Sequence, residues 1–185
     1  MRIIAGSLKG RQLNTPTGID LRPTSAKLRE TLFNVIGPRI SGANVIDGFA
    51  GTGAVGIEAL SRGAAHVTFI EYDNRAIGLT TENVRRCDIK AGCEIIFGSF
   101  KETMKKNFSV DEFDLIFLDP PYEEDGLKEI IKTAESKLAV DGLLVIEHSR
   151  RRRAPEAAGR MRRMRTLLSG DSSLDFYQLF LDIDE

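Results

Sequence analysis

A chain of 185 residues, 42% of them hydrophobic, carries enough apolar material for one domain with a substantial core, and its formal charge of −1 conceals an uneven distribution. The N-terminus has no long apolar stretch and no segment approaches the roughly 18 apolar residues needed to cross a bilayer, so a cytoplasmic protein with no membrane partner is expected. Cys87 and Cys93, accompanied only by His66 and His148, show no metal-ligand spacing; reduced cysteines, structural histidines and no metal are expected.

Residues 1–40 hold seven basic side chains, Arg2, Lys9, Arg11, Arg22, Lys27, Arg29 and Arg39, against Asp20 and Glu30, a net of +5. Alternating apolar positions from Arg2 to Leu13, with Gly6 and Gly10, predict a short hairpin or arm beside the active site, where its cations would neutralise phosphates. A first strand, Ala43 to Asp47, runs into Gly48-Phe49-Ala50-Gly51-Thr52-Gly53 and a helix from Ala54 to Arg62. A strand, a glycine-rich turn and a helix cradle a nucleotide, because glycines let the backbone approach and the helix start offers free N–H groups. Gly51-x-Gly53-x-x-Gly56 fits the dinucleotide fingerprint, and Glu71 ends the next strand, from His66, 20 residues after Gly51. The fingerprint alone does not separate NAD from S-adenosylmethionine. Asp47 tips the balance: a carboxylate at this strand end would face a pyrophosphate unfavourably but suits a cofactor with a cationic amino-acid end.

Helical patterns over Arg75 to Cys87 and Lys101 to Asn107 enclose a strand from Cys93 to Phe97. The apolar run Phe113 to Leu118 then closes with Asp119-Pro120-Pro121-Tyr122. A carboxylate and the carbonyl preceding a proline can both accept from a planar exocyclic amine, Pro121 stiffens the turn, and an aromatic ring can stack on the base that carries the amine. A helix from Leu127 to Leu138, the turn Asp141-Gly142 and a strand from Leu143 to Glu147 complete an α/β alternation. It implies an open, mainly parallel sheet covered on both faces. Arg162 to Leu167 and Leu174 to Leu181, joined by Ser169-Gly170-Asp171, predict an antiparallel hairpin at the sheet edge. A second basic region, Arg150 to Arg153 with Arg160, Arg162, Arg163 and Arg165, reads equally as a charge-protected loop and edge strand or as a nucleic-acid contact, while Glu123-Glu124-Asp125 is expected to face solvent or limit the footprint of such a partner.

Together these stretches resemble the RsmD family of 16S rRNA guanine-N2 methyltransferases. The likeness runs through Arg2-Ile3-Ile4-Ala5-Gly6, Lys9-Gly10-Arg11, Leu21-Arg22-Pro23-Thr24, Arg29 to Asn34, and Phe49 to Ala64. It implies a Rossmann-like class I S-adenosylmethionine-dependent fold with strand order 3-2-1-4-5-7-6, strand 7 antiparallel, and an N-terminal hairpin or arm. The expected organisation is one methyltransferase domain over 1–185, with a basic extension over 1–40 and a cofactor-binding core over 41–185. The resemblance implies methyl transfer to N2 of guanine 966, leaving S-adenosylhomocysteine, with 16S rRNA of an assembling or assembled small ribosomal subunit as partner; the mixed charge pattern, with no obvious exposed apolar stripe, makes a monomer the expected working state. Ser99 departs from the Asp or Asn usual in the family opposite the adenine.

Ligands of such sheets bind beyond the strand carboxyl ends near the switch point between strands 1 and 4. Expected cofactor contacts are therefore Asp47, Gly48, Phe49, Ala50, Gly51, Thr52, Gly53, Glu71, Tyr72, Ser99, Phe100 and Asp119. Asp119, Pro120, Pro121 and Tyr122 are the expected catalytic group, and Arg2, Lys9, Arg11, Arg22, Thr24, Lys27 and Arg29 the expected RNA contacts. A DNA adenine-N6 or cytosine-N4 methyltransferase and a protein-glutamine methyltransferase share the amine chemistry. A non-catalytic RNA-binding module is the alternative from another class, and it predicts loss of the acidic site residues that this chain retains.

Overall fold

A computed structural model describes residues 1–15, 24–106, 108, 112–121 and 126–180. Arg22, Tyr122 and Glu123-Glu124-Asp125 lie outside the described residues. In chain order the elements are helix α1 (Ala26–Ile36), a 3-10 turn (Gly37–Ile40), β1 (Asn44–Gly48), α2 (Ala54–Ser61), β2 (His66–Glu71), α3 (Asn74–Arg86), β3 (Cys93–Phe97), α4 (Phe100–Thr103), β4 (Phe113–Leu118), α5 (Leu127–Glu135), β5 (Leu138–Ser149), β6 (Ala157–Ala158), β7 (Met161–Ser169) and β8 (Ser172–Leu179).

The strands form one sheet in the order β3-β2-β1-β4-β5-β8-β7-β6. β3, β2, β1, β4 and β5 pair in parallel, and β8 enters antiparallel to β5. Since β7 and β8 are the sixth and seventh strands of the sequence reading, the expected order is found, with the two-residue β6 added at the edge. The turn between β7 and β8 closes on the pair Ser169 and Ser172, as its residues predicted.

Successive side chains of a strand point to opposite faces, and here both faces are covered. Val45, Leu115, Phe117 and Val145 face a core built with α1, α2 and α3, whereas Ile46, Ile116, Leu118 and Ile146 face a second core built with α5. This explains why the strands read as continuous apolar runs rather than as alternation.

The expected boundary at residue 40 is not a packing boundary. Ile3 and Leu13 of the arm and Leu28, Leu32, Phe33 and Ile36 of α1 belong to the same core as Val45 and Phe69. Each buried aliphatic side chain adds roughly 1.5–3 kcal/mol relative to exposure. The arm is a hairpin of minimal pairing, with one antiparallel bridge between Arg2 and Gln12 and a hydrogen bond from Ile3 N to Arg11 O of 3.0 Å.

Two helical expectations shorten. The pattern from Lys101 gives a single turn, α4, capped by Ser99; the next helix stops at Glu135 because Leu138 already pairs with Phe113 in the sheet. α1 was not anticipated as a helix, although Ser25 caps it by accepting from Leu28 N and its apolar residues keep to one face.

Candidate active site

The registers align the strand ends. Gly48 of β1 sits opposite Ile70 of β2 and Leu118 of β4, and Leu118 sits opposite Ile146 of β5. One residue further along, Glu71, Phe49, Asp119 and Glu147 therefore form a row across the carboxyl edge of four adjacent strands. The spacing at its centre is tight: a Cβ on Gly48 would lie 2.5 Å from Leu118 Cδ2 and 3.0 Å from Phe100 Cδ2, so any side chain there would push the β4 end and α4 away.

Phe49 occupies the left-handed region at φ 62°, a conformation costly for a residue with a Cβ and characteristic of functional loops. Its ring lies 5.9 Å from that of the buried Phe100. The glycine-rich loop is held from behind by α3. Thr80 Oγ1 donates to Gly51 O at 2.9 Å, and Asn83 Nδ2 donates to Thr52 O at 2.9 Å.

The acids at the strand ends differ in what they do. Glu71 accepts from three backbone N–H groups at 2.9 Å: Gly51 on Oε2, and Tyr72 and Asp73 on Oε1. Asp47 lies under the loop at 2% exposure, and its Oδ2 accepts from Gly56 N at 2.8 Å. Burial pushes its carboxyl up to about 7; the Gly56 hydrogen bond opposes the shift and the neighbouring Glu71 adds to it. Asp47 thus anchors the loop from beneath instead of presenting an open carboxylate. Asp119 is half-buried and Pro120 buried, at the mouth beside them. Ser99 is exposed, and its hydroxyl is engaged as the cap of α4, accepting from Glu102 N at 3.3 Å. Tyr72 and Phe97 stand 53% and 54% exposed at the ends of β2 and β3.

The expected RNA contacts divide. Arg2, Lys9, Arg11 and Lys27 are exposed. Arg29 is fully buried, donating from Nη2 to Arg2 O at 2.8 Å; burial lowers its pKa, which the charge of Glu58 partly offsets. Thr24 is buried, with its hydroxyl donating to Glu147 Oε2 at 3.1 Å. Both residues position the fold and cannot meet a phosphate in this arrangement. The arm also runs elsewhere than expected. Its turn is held at Ser61, where Ser7 N donates to Ser61 O at 2.7 Å and Leu8 N to Ser61 Oγ at 2.9 Å. Because α2 returns from the carboxyl edge towards the start of β2, Ser61 is its end remote from Asp119.

Sequence reasoning passed over Glu147, although it ends its strand as Asp47, Glu71 and Asp119 end or follow theirs. At 4% exposure it accepts from Thr24 and, at 3.0 Å, from Ser172 Oγ. Asn83 and Glu58 were equally unmarked; their roles are bonds to distant backbone that no local pattern signals. Among the described residues there is no group of three His, Cys, Asp or Glu that could hold a metal, and no helix is long and apolar enough to cross a membrane.

Over residues 1–178 the chain matches the model of the family described as conserved hypothetical protein 95. Ribosomal RNA small subunit methyltransferase D of Escherichia coli is 34% identical to it over 180 residues, 96% of this chain and 89% of that protein. The chain belongs to the RsmD family. The putative rRNA methyltransferase YlbH of Bacillus subtilis is 38% identical over 162 residues, 86% of this chain and 88% of that protein. Among solved structures, the putative methyltransferase yhhF from Escherichia coli matches with a TM-score of 0.83 and 32% identity, covering 97% of this chain and 98% of its own. The sheet and its flanking helices are the class I methyltransferase fold. A putative methyltransferase complexed with SAH shares that fold at a TM-score of 0.70 and 14% identity, over 86% of this chain and 50% of its own.

Proposed function

We propose that this chain transfers a methyl group from S-adenosylmethionine to the exocyclic N2 amine of a guanine in 16S rRNA, guanine 966 by the family resemblance, within an assembling or assembled small ribosomal subunit. The observation that carries this reading is the register of β1 with β4, which sets Asp119 and Pro120 directly beside the glycine-rich loop. The rRNA methyltransferase names of relatives over most of their length support the RNA substrate, and the SAH complex of a shared fold supports the cofactor.

The residues present fit that cofactor. A carboxylate offers about four acceptor positions. Three of those on Glu71 are filled by backbone N–H groups, which fixes the carboxylate and leaves capacity for a ribose hydroxyl. The half-exposed rings of Tyr72 and Phe97 offer apolar faces for an adenine at the same edge. Asp47, beneath the loop, favours a cationic amino-acid end by its field. Ser99, spent on capping α4, is assigned at most a second hydrogen bond to the base.

When bound, the cofactor supplies an electrophilic methyl group on a sulfonium leaving group. The Asp119 carboxylate and the Pro120 carbonyl accept the two N–H groups of the amine, which favours pyramidalisation and aims the nitrogen lone pair. Asp119 is also assigned the proton that the methylated nitrogen must lose. Tyr122, by the family motif, is assigned the stacking of a base lifted out of its helix or loop.

The test is to incubate the purified chain with radiolabelled S-adenosylmethionine and small subunits or 16S rRNA from a strain lacking its own copy, then to map the labelled nucleotide by digestion and mass spectrometry. Label on N2 of one guanine is the expected result. Label confined to DNA or protein controls would overturn the substrate while keeping the amine chemistry.

A further inference from the structure

We infer that the loop Arg150–Arg153, following the carboxyl end of β5, is the principal phosphate-binding surface for the RNA strand that enters the site, rather than the tip of the arm or the outer strand β7. The inference rests on the RNA reading above and names the surface that serves it.

The two basic regions part company in the structure. At the far end of β7, Arg160 is tied to Glu135 by an ion pair of 2.7 Å, and Arg162 lies with its guanidinium 5.6 Å from the centre of the Phe180 ring. Arg163 reaches inward, 3.4 Å from Asp175 and 2.9 Å from Ala154 O. These side chains are committed to holding the sheet edge together. The arm's Lys9 sits next to the turn docked at Ser61, behind α2.

Arg150, Arg151 and Arg153 are exposed, and none of the three is in an ion pair among the described residues. They begin three residues beyond Glu147, which stands in the row with Asp119. The loop is pinned at both of its backbone turns: Arg150 N donates to Asp171 O at 2.8 Å and Arg152 N to Ser149 O at 2.9 Å. A fixed backbone carrying several long cations loses little entropy beyond the side chains on binding a polyanion. Asp171, in the adjoining β7–β8 turn, carries one negative charge against the three arginines, so the net charge of the region stays positive. Lys27, exposed in the first turn of α1, follows by three residues Thr24, whose hydroxyl is bonded to Glu147. Cations thus stand on the β5 side of the row that holds Asp119, the side assigned here to the phosphates next to the extruded nucleotide.

The test compares wild type, the triple variant Arg150→Ala/Arg151→Ala/Arg153→Ala, its triple lysine counterpart and the control Arg162→Ala/Arg165→Ala, using a 16S rRNA transcript and S-adenosylhomocysteine as probes. The alanine triple is expected to weaken RNA binding at least tenfold at low salt. It should also flatten the dependence of log K on log salt by roughly two, since each phosphate contact contributes about 0.7–0.9. Lysine should restore most of both, the control should change neither, and S-adenosylhomocysteine affinity should be unchanged throughout. An unaltered salt slope in the alanine triple, with wild type binding RNA normally, would overturn this surface. Failure of wild type to bind, at any salt, either the transcript or small subunits from a strain lacking its own copy would instead overturn the RNA reading on which it rests.

Discussion

Asn83 of α3 holds both backbone polar groups of Asn14: Asn14 N donates to its Oδ1 at 2.7 Å, and its Nδ2 donates to Asn14 O at 3.1 Å. The same Nδ2 donates to Thr52 O at 2.9 Å, so one fully buried amide joins the arm to the glycine-rich loop. Asn83→Ala leaves three backbone groups without these partners. At about 1 kcal/mol per hydrogen bond the loss is roughly 2–3 kcal/mol, or a fall in Tm on the order of 5–10 °C for a domain of this size. The affinity for S-adenosylhomocysteine should fall with it, because the Thr52 carbonyl is released. Calorimetric titration of the folded variant checks this; wild-type affinity would mean the bond to Thr52 does not shape the loop.

Glu147 joins the start of α1 to the end of β5 through Thr24 and to the start of β8 through Ser172. Glu147→Ala removes a buried acceptor and opens a cavity, so a loss of roughly 2–4 kcal/mol is expected. Glu147→Gln should recover most of it, because one hydroxyl can go on donating to the amide oxygen while the other turns to accept from the amide NH2. At a temperature where both variants are folded, the alanine variant should raise the KM for RNA more than that for S-adenosylmethionine. Equal changes in the two would reduce Glu147 to a purely structural residue.

Asp47 gives the stability a pH signature. Its carboxyl ionises at about 7 in the folded chain, against an ordinary value of 3.8. The folded state therefore holds the proton more tightly, and stability must fall as pH rises wherever the unfolded chain binds fewer protons. The contribution is fully present below about pH 4 and is lost by about pH 7. Asp47→Asn should remove this component, so the difference in denaturation midpoint between variant and wild type should grow in the variant's favour from pH 4 to 7 and then level off. S-adenosylmethionine should bind wild type more tightly as pH rises towards 7, and the asparagine variant should lack that limb. Parallel pH profiles for the two proteins would show that Asp47 does not titrate in this range.

Sequence carried the sheet well because its parallel strands are buried on both faces, and burial on both faces leaves unbroken apolar runs such as Phe113 to Leu118. It carried the acids too, since a carboxylate closing such a run stands out at Asp47, Glu71 and Asp119. What it could not carry are polar residues whose partners are remote in sequence. Glu58 looks like any helix-surface glutamate, yet it accepts from Ile4 N at 2.8 Å and Ala5 N at 3.0 Å and so docks the arm. Arg29 looks like a surface cation, yet it closes the space between α1 and the arm. The basic charge of residues 1–40 was legible, but its placement depended on how the arm folds back along α2, a tertiary fact. α1 itself left a signal, Leu28, Leu32, Phe33 and Ile36 on one face behind Ser25, which the charged residues between them obscured.

Asp119 is the residue on which the proposed chemistry depends most. Half-buried at the end of β4, beside a tight approach of Gly48 to Leu118, it can lose its carboxylate with little effect on either core. Asp119→Ala should retain S-adenosylhomocysteine binding within a few-fold and fold normally, while kcat falls by about 10²–10³, the scale seen when one preorganised hydrogen-bonding group is removed from a reacting centre. Asp119→Asn keeps one acceptor oxygen but sets an amide N–H against the amine, so it should recover only a small part of the rate. Single-turnover methylation of 16S rRNA with saturating cofactor isolates the chemical step from product release. Near-normal single-turnover rates in the alanine variant would remove Asp119 from the mechanism and leave the orientation of the amine to the Pro120 carbonyl.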